Sequence, residues 1–353
     1  MLTRRRFLQM GVLTGAALTI QPWGSGKVWA DNRPFTFCSW GGALSNTEKT
    51  AFMDPASKLF GVEIINVSPT NYAKLKAMVE ANAVEWDLVD VGGQFIFQGA
   101  AQNLLEPIDY SIVDASRLDK NWVTPYGVFT STGATVIAYN TKAFPGDDTP
   151  KSWKDFWDVK KFPGPRSLYQ RFFYNYEAAL LAAGVARDQV YPATDDKVKL
   201  AFEKLAELKP HVKVWWSAGA QPAQLLSSGE VVMASAWSGR ILDIIKEQAP
   251  VAMTYKDAIA WGNAYVVPRG TPHKELAMKV INFALTEDAQ AALLPCGTYG
   301  PVLPSAAAKA TAEQCDMYVS CPENIKDACL YNDEEVAKYN AKYDEEWKKF
   351  QLG

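Results

Sequence analysis

Three tryptophans stand where an apolar run meets a glycine: Trp40 before Gly41-Gly42, Trp237 before Ser238-Gly239-Arg240, and Trp261 before Gly262-Asn263. Aromatic faces attract cations, at about 0.5 to 2 kcal/mol for each well-placed pair. Together the three could box an amine or sandwich a flat aromatic ligand, while the glycines let backbone N–H groups come close to it. The parts needed for bond chemistry are missing. The chain has two histidines, His211 and His273. It shows no Ser/His/Asp ordering, no metal-spaced His or Cys set and no G-x-G-x-x-G loop. The pattern points to binding without a cofactor or metal, and an exported enzyme is the competing class.

The elements that must carry these residues read as α/β units. Phe35 to Trp40 is a strand-like run closed by Gly41-Gly42 and followed by a helical stretch. Trp86 to Val91 repeats the device, closed by Gly92-Gly93 with Gln94 beside it. Ligands of open sheets bind at the carboxyl ends of strands, so Ser39, Trp40, Gly41, Gly93 and Gln94 are candidate contacts. Val62 to Val67 predicts another strand, Asn71 to Ala81 a helix, and residues 122 to 140 a long buried segment. Ala264 to Val267 predicts a buried strand stopped by Pro268 and Gly270, with Thr271 and Pro272 opening a helix. Thr286 caps the next one. Asn332, with Glu335 at N3, predicts a final helix whose inner face is Val336, Tyr339, Tyr343, Trp347 and Phe350.

Strand, two capped helices and the Tyr299-Gly300-Pro301 turn resemble the point where the chain re-enters the first lobe of a periplasmic solute-binding protein. The resemblance is to the spermidine/putrescine-binding family that serves ABC transporters, and it covers most of the chain. It implies two doubly wound α/β lobes joined by a hinge with two crossings: 31–140 and 262–304 in lobe 1, 141–261 in lobe 2, and a helical tail at 305–353. It implies that Pro150 to Trp157 is a surface segment, that the two glycine turns touch ligand, that Trp237 faces the cleft, and that Tyr299 can hydrogen-bond the ligand. It also implies a membrane permease as partner.

The family's acids at the start of the lobe-2 helix fall here on Arg171 and Tyr174, and the acid of the return crossover falls on Asn263, after Trp261. Negative charge is lost at these positions and one positive charge is gained. A guanidinium fork suits a carboxylate. Arg171, with Arg166 or Arg240 as substitutes, therefore fits an amino acid, an ω-amino acid or an opine-like conjugate better than a polyamine. A ferric-ion binder of the related family is a further alternative, but it would lean on a tyrosine doublet that this sequence lacks.

Arg4-Arg5-Arg6-Phe7-Leu8, an apolar run from Met10 to Ile20 and Val28-Trp29-Ala30 read as a twin-arginine-type signal at residues 1–30, cleaved after Ala30 into the periplasm. A net charge of −3 with mixed signs argues against nucleic acid as a partner, and a monomer is expected. Of five cysteines, Cys315, Cys321 and Cys329 cluster late. In an oxidising compartment this predicts a loop staple, from Cys315 or Cys321 to Cys329.

Overall fold

In a computed structural model of the chain, residues 33–297 and 299–353 are described; the signal expected at residues 1–30 lies outside them. Strands β1 (Phe35–Cys38), β2 (Ile64–Val67), β3 (Leu88–Gly92), β4 (Val123–Thr124), β5 (Gly127–Asn140), β6 (Arg166–Tyr169), β7 (Val212–Trp216), β8 (Met233–Trp237), β9 (Val251–Val266), β10 (Gly300–Pro301) and β11 (Cys329–Leu330) join in one mixed sheet. Its order is β2-β1-β3-β9-β5-β8-β6-β7, with β4 and β10 on β5 and β11 on β9. The long antiparallel pair β5–β9 is common to both halves.

Two lobes follow from where apolar burial stops. One core gathers residues 35–129 and 264–302 around β1, β3 and the helix Lys274–Ala284. Three further clusters cover residues 134–260 and 319–347. Between them β5 carries Thr130, Ser131 and Thr132, all buried, then Gly133, while β9 carries Trp261, Gly262 and Asn263. The chain crosses on these two strands, where its residues are polar, small or amphipathic, and a third time between Val302 and Val319.

Local signals explain most element ends. Asn71 accepts from the Lys74 N–H, Thr286 from that of Ala289, and Asn332 from that of Glu335. Gly184 closes the helix Phe172–Ala183 in the left-handed region, at φ 91°. Three expectations need correcting. The helix expected at Thr271-Pro272 starts at Lys274, because Thr271 donates to the buried Asp87 and accepts from the His273 N–H, which holds 271–273 as a turn. The return strand is also longer than Ala264–Val267, running from Val251. The segment Pro150 to Trp157 is a surface feature on one side only: Lys151 and Lys154 are exposed, but Trp153, Phe156 and Trp157 are buried, and the Trp153 indole donates to the Asp257 carbonyl.

The disulfide joins Cys315 to Cys321. Cys329 lies in β11 beside β9, buried with its thiol against the Arg187 carbonyl, and takes no part in it. The final helix, Asp333–Leu352, buries Val336, Tyr343 and Trp347 and half-buries Tyr339 and Phe350. No helix among the described residues is long and apolar enough to cross a membrane.

Candidate functional site

Pleating sets which residues share a face. Opposite one another stand Asp90, Tyr265 and Val128 in one row and Gly92, Asn263 and Ser131 in the next, followed by Trp261 with Gly133, then Ile259 with Thr135 and Trp237. A register shift between Phe129 and Ser131 keeps Val128 and Ser131 on this face although three positions separate them. One face of the sheet thus carries, from lobe 1 across the hinge into lobe 2, an acid, an amide, a hydroxyl and two indoles.

The lobe-1 end is acidic. Asp90 and Glu48, the last residue of the helix Gly42–Glu48, are fully buried. Ser39, at the end of β1, donates its hydroxyl to Glu48 and lies 3.5 Å from Asp90 Oδ2, while the Tyr265 hydroxyl donates to Glu48 Oε1 at 3.0 Å. Burial pushes both carboxyls above their ordinary range; Glu48 raises Asp90 further, while hydrogen bonds from Ser39, Tyr265 and Asp90 pull Glu48 part of the way back. Asp90 Oδ1 and Ser131 Oγ find no hydrogen-bond partner among the described residues. Ser39, expected to touch ligand, has its hydroxyl committed to this pair.

Aromatic rings continue from there. Tyr299, Trp261, Trp237, Tyr169, Tyr174 and Tyr331 form a chain of neighbouring rings with centroids 4.4 to 6.4 Å apart. In lobe 1 Trp40, 39% exposed, packs edge-on to Tyr72, which stacks on Phe95. Gly41 sits at φ 86°, its N–H donating to Ser45 Oγ. Asn263 is buried beside Ser131. Two bare glycines make room for indoles: a Cβ on Gly133 would lie 2.5 Å from the Trp261 ring, and one on Gly219 2.5 Å from that of Trp237.

Of the three arginines, Arg171 and Arg240 are exposed at the ends of β6 and β8, where lobe 2 meets this face. Arg171 acts electrostatically on Tyr72 of lobe 1 and on Tyr169. Tyr299 is pushed up to about 12 by burial, with Arg240 pulling it down and Asp90 and Glu48 pushing it up, so its phenol lies within reach of both signs of charge. Arg166 is a correction: it is buried, and its guanidinium donates to the carbonyls of Phe156, Phe162 and Gly164 as an internal brace. Burial lowers it to about 10.

Sequence reasoning did not anticipate a contribution from the tail. The Gln94 side-chain amide donates to the Tyr331 hydroxyl at 2.5 Å, and the Asp333 carboxylate lies where a side chain on Gly93 would be and accepts the Gln94 N–H. Tyr331 stacks on Tyr174, centroids 4.4 Å apart. Tyr174 itself is in the left-handed region, at φ 75°, with its N–H held by Glu177. Glu48, Asp90, Ser131, Tyr72, Tyr331 and Asp333 were all missed. A readable signal existed for Asp90, an acid inside the apolar run Leu88 to Val91; Tyr331 and Asp333 had none, being 237 or more residues from their lobe-1 partners. Among the described residues no group of three or more His, Cys, Asp or Glu is placed to hold a metal ion.

A face with charge at both ends and aromatic sides suits capture of a small polar solute, and the relatives agree with it. Residues 51–317 match the model of the bacterial extracellular solute-binding proteins. A gamma-aminobutyric acid-binding protein of Pseudomonas aeruginosa is 35% identical over 277 residues, 77% of this chain and 78% of that one. An ABC transporter substrate-binding protein from Bradyrhizobium japonicum superimposes with a TM-score of 0.84 at 37% identity, covering 90% of this chain and 99% of that one. The Agrobacterium tumefaciens (A. tumefaciens B6) binding protein MotA, solved with glucopine, gives 0.80 at 34%, covering 91% and 100%. On the matched span and these likenesses, the chain belongs to the bacterial extracellular solute-binding proteins and is the substrate-binding component of an ABC importer.

Proposed function

We propose that the solute is a small amino-carboxylate, an ω-amino acid or an opine-like conjugate, held between the two lobes and handed to a membrane permease. The observation that carries this is the charge layout of one face: buried acids Asp90 and Glu48 at the lobe-1 end, exposed Arg171 and Arg240 at the lobe-2 end, and Tyr299 within reach of both. A polyamine offers cations at both ends and would set one of them against an arginine. The relatives named for gamma-aminobutyric acid and glucopine support the reading. Trp40, Tyr174, Trp237 and Trp261 would enclose the solute, with Asn263 and Tyr299 hydrogen-bonding it. Ser39, Gly41, Gly93 and Gln94 would shape the turns. The cores part at 130–133, short of the boundary expected at 140, so lobe 1 comprises 33–132 and 262–304 and lobe 2 133–261, and hinge closure brings the two charged ends together.

The protein acts as a monomer in the periplasm, makes and breaks no bond in the solute, and binds no nucleic acid. Export by the twin-arginine route with cleavage after Ala30 is supported by Arg4-Arg5-Arg6-Phe7-Leu8. Titration calorimetry with gamma-aminobutyrate, putrescine and butyrate tests the ligand class. Arg171→Ala should weaken gamma-aminobutyrate by about 10- to 100-fold, as expected for losing a charged hydrogen bond, and leave putrescine no weaker. Tighter binding of putrescine than gamma-aminobutyrate by the unmodified protein would refute the proposal.

A further inference from the structure

We infer that Asp90, with Glu48 behind it and the Ser131 hydroxyl on the same face, is an ammonium subsite that exchanges a proton for the ligand's charged amine. This rests on the amino-carboxylate reading and says which lobe takes which end. Asp90 Oδ1 and Ser131 Oγ are buried oxygens without partners among the described residues, and a buried polar group left unpaired costs free energy. Asp90 and Ser131 stand in adjacent rows with β9 between them, its Tyr265 and Asn263 on the same face, and Gly92, next to Asp90 on that face of β3, has no side chain to cover it; a Cβ there would come no closer than 3.6 Å to anything, and that to the Tyr72 hydroxyl. A primary ammonium carries three N–H donors, enough for Asp90 Oδ1, Ser131 Oγ and one more acceptor.

The charge count points the same way. The donors that reach the pair are the Ser39 and Tyr265 hydroxyls and the Val91 N–H, all neutral. The other titratable groups that sense the pair, Cys38, Tyr72, Tyr265 and Tyr299, are pushed up by burial and stay neutral near pH 7, while Lys74 pairs with Glu85 and acts on Cys38, and the two arginines act on Tyr72 and Tyr299. Two carboxyls with no cation between them keep a proton. When an ammonium arrives, the pair ionises and that proton leaves to solvent, one proton out for one cation in.

The test is titration of the intact protein with gamma-aminobutyrate from about pH 5.5 to 8, in buffers of different ionisation enthalpy. Affinity should rise with pH, up to one proton should be released per ligand, and Glu48→Gln should abolish the release. Asp90→Asn should leave the ligand-free melting temperature equal or higher, since a buried acid becomes a neutral amide, yet lose at least about 30-fold in affinity. Pair and proton count remain decisive through Ser131→Ala, expected to lose several-fold, if Asp90→Asn does not fold. Proton-neutral, pH-independent binding overturns the subsite, as does butyrate binding as tightly as gamma-aminobutyrate, which leaves the carboxylate end of the reading intact. If none of gamma-aminobutyrate, putrescine and butyrate binds, the ω-amino acid reading fails and the subsite with it.

Discussion

A residue can define a binding surface by having no side chain. Gly133 is paired with Trp261 on the neighbouring strand within the crossing, and the indole, whose Nε1 donates to Thr135 Oγ1 at 3.3 Å, lies over the bare Cα. Gly133→Ala would force that ring aside, because its contact is the broad face of an indole pinned by a hydrogen bond. The expected result is a shifted tryptophan emission and an affinity loss of about tenfold for gamma-aminobutyrate, a cost near 1.4 kcal/mol; unchanged emission would show that Trp261 accommodates the methyl. Single residues were only partly legible in the sequence. Indoles beside glycines could be read because both the ring and the turn are local facts. Arg166 and Ser39 could not, since whether a guanidinium braces its own lobe or a hydroxyl is committed to two acids depends on atoms far along the chain.

At the scale of elements, the strands and helices of lobe 1 were readable wherever caps and alternation agree, and the reading failed where tertiary partners override them, as at Thr271. The tail was half legible. Its helix follows from Asn332 and an apolar stripe, but nothing in the sequence says that its first turn reaches the helix Gly93–Ala101 in lobe 1. That contact has a titratable signature. Burial pushes the Asp333 carboxyl up to about 8. With a folded value above the unfolded one, Asp333 favours the folded state fully below about pH 4, and this contribution is lost as pH rises toward 8. Asp333→Asn stays neutral throughout and keeps an acceptor for the Gln94 N–H. Its melting temperature should depend less on pH than that of the unmodified protein between about pH 4 and 8. Parallel curves would mean that the carboxyl is hydrated in solution.

The same sign holds for the whole molecule. Glu48, Asp90, Glu177 and Asp333 are all raised by burial, Glu177 to about 7. The ligand-free protein should therefore melt at a higher temperature near pH 5.5 than near pH 8, and scanning calorimetry in matched ionic strength checks this; a maximum at pH 8 would mean that these acids are solvated or paired. The two-lobed architecture was legible because two crossings leave two long apolar strands in the sequence, while the charge layout was not, because it depends on the register of β3, β9 and β5.

One feature of that architecture bears on how the chain is made. The lobe-1 core takes residues from 35 to 302, and the main lobe-2 cluster reaches as far as Trp347. Neither core is complete until nearly the whole chain has left the ribosome. Through most of its synthesis the polypeptide exposes apolar strand faces whose partners do not yet exist, the condition in which multidomain chains aggregate. A chaperone that shelters the growing chain until Trp347 is available would thus matter more here than for a protein whose first domain closes on its own.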